Sequence, residues 1–102
     1  MKQVIVRYKV KPERASENAV LVRAVYAELH QTTPAELRYA TFQAEDGVSF
    51  VHIASHDSED GSSPLSEVQA FKRFQENIDE RCEESPVVTG IREIGSYRFL
   101  GE

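Results

Sequence analysis

Tryptophan is missing from these 102 residues, and cysteine occurs once, as Cys82. A single thiol excludes an internal disulfide and fits a reducing compartment, so the expected location is the cytoplasm. There is no CxxC pair, no glycine-rich phosphate loop and no GxSxG elbow. Their absence removes the usual signatures of thiol redox, nucleotide and serine-nucleophile chemistry. No apolar run approaches a membrane span. The chain enters a strand pattern within three residues, with no charged-then-apolar leader. Basic residues are the minority: 12 Lys and Arg against 17 Asp and Glu, for a net charge of −5. They are also scattered. Phosphate binding needs a basic patch, so neither nucleic acid nor an anionic membrane is expected as a partner.

What remains is ordinary globular material, 40% hydrophobic and 28% charged, enough for one domain over residues 1–102. From Gln3 to Val10 the chain alternates, Val4, Val6, Tyr8 and Val10 against Ile5, Arg7 and Lys9, which predicts a strand. Pro12 suits the first turn of a helix. Ala15, Ala19, Val22, Val25, Tyr26 and Leu29 then share one helical stripe, and Thr32-Thr33-Pro34 ends it. Leu37 to Glu45 and Val48 to His56 read as strands joined at Asp46-Gly47, a dipeptide suited to a tight hairpin with positive φ at both positions.

Asp57 to Ser63 is a polar loop with no apolar anchor, expected to tolerate change. Ser63-Pro64 suits a helix start. The second helix is expected to run to about Glu84, burying Val68, Phe71, Phe74, Ile78 and Cys82, until Ser85-Pro86 breaks it. Val87 to Leu100 is then mostly strand, with Gly90 and Gly95 as bulge points.

The order is β-α-β-β-α-β. Right-handed crossovers turn it into a ferredoxin-like α+β fold, a four-stranded antiparallel sheet with both helices on one face. Several strands are apolar on both faces: Val51 and Ile53 oppose Phe50 and Ala54, and Ala40 and Phe42 oppose Tyr39. An exposed apolar sheet face of that size marks an interface, and packing two sheets together in a homodimer would cover it.

The third strand carries His52 and His56 four residues apart. On a strand they share a face but sit about 13 Å apart, too far for one metal ion. No metal site is expected. His52 lies between Phe50 and Ala54 on a face that reads as buried, where a neutral imidazole could act as donor or base in a cavity. The competing reading is a hydrogen-bonded core residue. His56, beside Asp57 and Glu59, is expected to be hydrated at the strand end, though it could also contact a ligand. Tyr8, Tyr26, Phe50 and Phe71 complete the candidate lining. Cys82 is expected to be a buried structural thiol.

The segment VIVRYKVKPE (Val4 to Glu13), the strand FVHIASH (Phe50 to His56) with its acidic loop, and the FKRF helix (Phe71 to Phe74) resemble the antibiotic biosynthesis monooxygenase-like proteins of the dimeric α/β barrel superfamily. The resemblance implies homodimers formed by sheet packing, with a cavity between sheet and helices. It also implies oxidation of aromatic substrates by dioxygen without a cofactor, or haem degradation in another branch. By strand position, His52 stands where catalytic members carry Asn, and His56 where they carry Trp. With no tryptophan, the chain lacks the aromatic that shapes the haem-branch pocket. The expectation is therefore a cofactor-independent monooxygenase acting on a small aromatic or apolar substrate. Its alternative is a non-catalytic binding or structural dimer of the same fold.

Overall fold

The computed structural model describes residues 2–57 and 63–99. Most of the polar loop after His56 therefore lies outside the described residues. Strand β1 (Lys2–Val10) leads through a 3-10 turn (Pro12–Arg14) into helix α1 (Ala15–Thr32). Strands β2 (Leu37–Gln43) and β3 (Ser49–His56) follow as a hairpin. A second 3-10 turn (Pro64–Glu67) precedes helices α2 (Gln69–Gln75) and α3 (Ile78–Arg81) and strand β4 (Cys82–Gly90). The sheet order is β2-β3-β1-β4, and every pairing is antiparallel. This is the ferredoxin-like α+β arrangement read from the periodicity.

Alternation along β3 is strict. Phe50, His52, Ala54 and His56 are buried, while Ser49, Val51, Ile53 and Ser55 are only half-buried. On β1, Tyr8 and Val10 join the buried set, and Val22 and Val25 of α1 close over them. Leu65, Val68, Ala70 and Phe74 complete the core from the second helical segment. Glu28 of α1 accepts backbone N–H groups from Gln69 (3.0 Å) and Ala70 (2.9 Å). One helix thus satisfies the orphan donors at the start of the next, and those bonds hold the Glu28 carboxyl below its ordinary pKa.

Three local expectations need correction. First, the Asp46-Gly47 turn is longer than a two-residue hairpin. Gly47 alone takes positive φ (78°), and Asp46 folds its carboxylate back onto Val48 N, Ser49 N and Ser49 Oγ. Those bonds stabilise an Asx-type turn that competes with the tight form.

Second, the second helix stops early. Asn77 adopts the left-handed conformation (φ 56°), which separates α2 from α3. Asparagine visits that region more readily than most residues. Cys82 is buried, but as the first residue of β4 rather than on a helical stripe.

Third, Ser85-Pro86 lies inside β4. The strand is an edge, where a missing N–H is tolerated. Arg7 pairs with Val87 and Lys9 with Glu84, so the register shifts there and not at Gly90 or Gly95. Beyond Gly90 the chain leaves the sheet, although Ile91 still donates to Gln3 O at 3.0 Å.

Candidate functional site

Between the helix-facing side of the sheet and α2–α3 lies a cavity of about 690 Å³. That size falls within the range of small-molecule pockets. Val4, Val6, Ala54, Leu65, Phe71, Phe74 and Ile78 make it largely apolar. Tyr8, Tyr39, His52 and His56 supply polar groups within that wall, and Lys2, Ser63, Ser66, Gln75 and Asp79 add others.

His52 is 3% exposed, and both ring nitrogens are engaged. Nε2 lies 2.8 Å from the Tyr8 hydroxyl. Nδ1 lies 2.6 Å from the Tyr39 hydroxyl and 3.0 Å from Thr41 Oγ1. Strand register explains the cluster: β3 pairs Val6 on one side and Thr41 on the other with His52. Tyr8 and Tyr39 follow two residues away on the same face. Burial lowers the His52 pKa to about 4, so its imidazole is neutral at pH 7. Burial likewise raises the phenols of Tyr8, Tyr39 and Tyr26, the last to about 12.

Behind Tyr8 the network continues into the core. Asn18 Nδ2 donates to the Tyr8 oxygen at 2.9 Å, and Arg81 Nε donates to Asn18 Oδ1 at 3.3 Å. Asn18 is fully buried and Arg81 is 2% exposed. The guanidinium also donates to Phe74 O (2.6 Å) and Glu76 O (3.1 Å), the carbonyls at the end of α2, and lies over the Phe74 ring. Among the described residues, no carboxylate forms a salt bridge with it.

His52, Tyr8, His56 and Phe71 therefore share the cavity wall. Phe50 and Tyr26 do not line it. Phe50 stacks behind Tyr8, with ring centroids 5.5 Å apart, and Tyr26 stacks on Tyr39 at 5.3 Å while bonding Thr41 Oγ1 at 2.7 Å. The expected hydration of His56 is wrong. It is 7% exposed, and its Nδ1 has no hydrogen-bond partner among the described residues. The turn carrying Ser63, Leu65 and Ser66 lines the same cavity as His56. Sequence reasoning also missed Tyr39, Thr41, Asn18 and Arg81. The parity of β2, which sets Tyr39 and Thr41 opposite Phe42, was the available signal for the first two. The described residues contain no group of three or more His, Cys, Asp or Glu able to hold a metal.

Several solved structures with this architecture are named antibiotic biosynthesis monooxygenases, and another, from Nitrosomonas europaea, is a protein of unknown function. One antibiotic biosynthesis monooxygenase superposes with a TM-score of 0.72 and 21% identity, covering 93% of this chain and 100% of that one. A Nitrosomonas europaea protein assigned to the same enzymes gives 0.73 at 14% identity, covering 93% and 100%. A Caulobacter crescentus protein with that assignment gives 0.65 at 20% identity, covering 92% and 90%. The chain has the fold of the antibiotic biosynthesis monooxygenases. No family model and no curated protein matches the sequence. Among the described residues, no helix is long and apolar enough to cross a membrane.

Proposed function

We propose that this protein is a cytoplasmic homodimer that binds a small aromatic or apolar molecule and oxidises it with dioxygen, without a cofactor. One observation carries the reading: a buried, neutral imidazole is held by two tyrosine hydroxyls in the wall of a largely apolar cavity. The monooxygenase designation of several structural neighbours supports it.

Neither ring nitrogen of His52 is free, so the base acts through Tyr8. A phenolic or enolic O–H gives its proton to the Tyr8 oxygen as Tyr8 passes its own to His52 Nε2. The resulting carbanion-like ring carbon donates an electron pair to dioxygen, forming a C–O bond and a peroxide. Burial disfavours the imidazolium, so His52 is a weak base that holds the proton only transiently, and it returns the proton through Tyr8 to the peroxide. Loss of the remaining C–H proton, with cleavage of the O–O bond, leaves a ketone and water. Overall, the substrate loses its O–H and one ring C–H hydrogen, one oxygen atom of O₂ becomes the new carbonyl oxygen, and the other leaves with the two hydrogens as water. The apolar walls limit the water that would compete for the anion.

The homodimer is supported by the outer sheet face. Phe42 and Val87 are exposed there, and Phe99 of the C-terminal segment stacks on Phe42 at a centroid distance of 6.4 Å. Ile94 and Tyr97 of that segment are 92% and 81% exposed. Apolar surface of this extent calls for a covering partner, and a second copy carries the same surface. The single free cysteine supports the cytoplasm.

A non-catalytic binding dimer is the second reading. It is favoured by the complete hydrogen bonding of His52 within the protein, since a satisfied imidazole can be structural. Oxygen uptake with a panel of small phenols and hydroquinones, without added metal or flavin, decides between them. Uptake above the uncatalysed rate supports the oxygenase. Saturable binding without uptake supports the second reading.

A further inference from the structure

Arg81, Asn18, Tyr8 and His52 form one hydrogen-bonded line running from the core to the cavity. Its direction follows from chemistry. A guanidinium can only donate, so Asn18 must present Oδ1 to Arg81 and its NH₂ to Tyr8. The Tyr8 oxygen is then already an acceptor, and its own proton needs an acceptor in turn. Nε2 of His52, at 2.8 Å, supplies one. A proton on Nε2 instead would aim two donors at the Tyr8 oxygen and leave the Tyr8 hydroxyl proton with no acceptor in the line.

We infer that Asn18 and Arg81 are positioning residues that hold His52 in the Nδ1–H tautomer and thereby set which hydroxyl protons face the ligand. Nδ1–H donates to the oxygens of Tyr39 and Thr41. Their own hydroxyl protons then point away from His52. Thr41 also hydrogen-bonds the Tyr39 oxygen, in the direction that favours its anion, so Thr41 acts there as the donor. Tyr39 lines the cavity, and its own proton is left for a ligand oxygen. This end of the cavity therefore selects a ligand with an acceptor oxygen, a carbonyl or an enolate, facing Tyr39. Charge developing on that oxygen meets a donor already in place.

Arg81 is suited to anchor the line. It is held by two carbonyls at the end of α2 and by the Phe74 ring, with the lone Asn18 bond as its link to the site. An arginine cannot lose its proton in a protein, so it cannot reverse direction. Glutamine or histidine in its place could.

The inference refines the oxygenase reading, yet its test needs no substrate. Long-range ¹H–¹⁵N spectra of the imidazole at pH 7 distinguish the two tautomers. The expected result for His52 is a protonated Nδ1 and an unprotonated Nε2. Asn18→Asp supplies the decisive contrast. The carboxylate pairs with Arg81 and can only accept from Tyr8, so Tyr8 turns its proton away from His52, and His52 is expected to move its proton to Nε2. A wild-type His52 carrying its proton on Nε2 overturns the inference, and so does an Asn18→Asp protein that folds without the switch. The wild-type spectrum decides the assignment even if the variant does not fold. Failure to find any oxidised substrate would remove the oxygenase and leave this result standing.

Discussion

The Tyr39 hydroxyl lies 2.6 Å from Nδ1 of His52, while the Tyr8 hydroxyl holds Nε2 at 2.8 Å from the other side. The imidazole is therefore clamped between two phenols contributed by the two strands that flank β3. Its orientation is fixed before any ligand arrives. What it does to a bound molecule passes through those hydroxyls.

Removing the clamp should remove the chemistry. For any substrate found by oxygen uptake, His52→Ala should lower kcat about 10²–10⁴-fold, the usual cost of losing a general base. Tyr8→Phe should lower it comparably, because the relay loses its middle oxygen. His56 lies about 13 Å along the strand, so His56→Ala should raise KM with a small effect on kcat. A His52→Ala protein of unchanged fold and full turnover would rule out the relay.

Stability should fall on mild acidification. The His52 pKa drops from 6.5 in the open chain to about 4 when folded. Between those values the unfolded chain binds the proton and the native chain does not. The contribution of His52 to stability is then fully present above pH 6.5 and is lost as pH falls toward 4, by about 3 kcal/mol at most. Urea unfolding of wild type and His52→Gln at pH 7 and pH 4.5 measures this. The wild type should lose more than the variant, which removes the titrating ring while other groups keep their contributions.

The outer sheet face should bury itself against a second copy. Sedimentation equilibrium at micromolar concentration should give the mass of two chains. Tyr97→Asp combined with Ile94→Asp should shift the balance toward one chain, because it places charge on the most exposed apolar side chains. A wild-type protein with the mass of one chain would refute the dimer.

Asn77 should be replaceable by glycine and not by valine. Its φ of 56° costs an ordinary L-residue about 1–2 kcal/mol, which glycine avoids. Asn77→Gly should unfold at the same or a higher denaturant concentration, and Asn77→Val at a lower one. Because Arg81 follows one turn later, Asn77→Val should also perturb the His52 imidazole resonances.

The strands were legible because burial on one face imposes a period of two. Tyr8 and Val10, like Phe50, His52, Ala54 and His56, are buried on the helix-facing side as that period demands. The stripe from Ala15 to Leu29 oriented α1 in the same way, and the order of elements then allowed few topologies. β4 was less legible. Glu83, Glu84 and Ser85 are exposed along an edge strand with a proline bulge, so no alternation marks its start. The end of α2 rests on a single left-handed asparagine, which periodicity does not register.

The site divides along the same line. The candidacy of His52 follows from its apolar neighbours on one strand, a local fact that the sequence alone determines. Its partners come from elsewhere: Tyr8 is 44 positions away, and Asn18 and Arg81 are 63 apart. Only the docking of α1 and α3 onto the sheet makes a polar asparagine on an apolar stripe and a basic residue before a strand into one buried line. His56 owes its burial to long-range packing as well. Hydrophobic pattern reports which way a side chain faces, whereas the partner of a buried polar group depends on register and helix packing across the whole chain, and tertiary structure alone decides those.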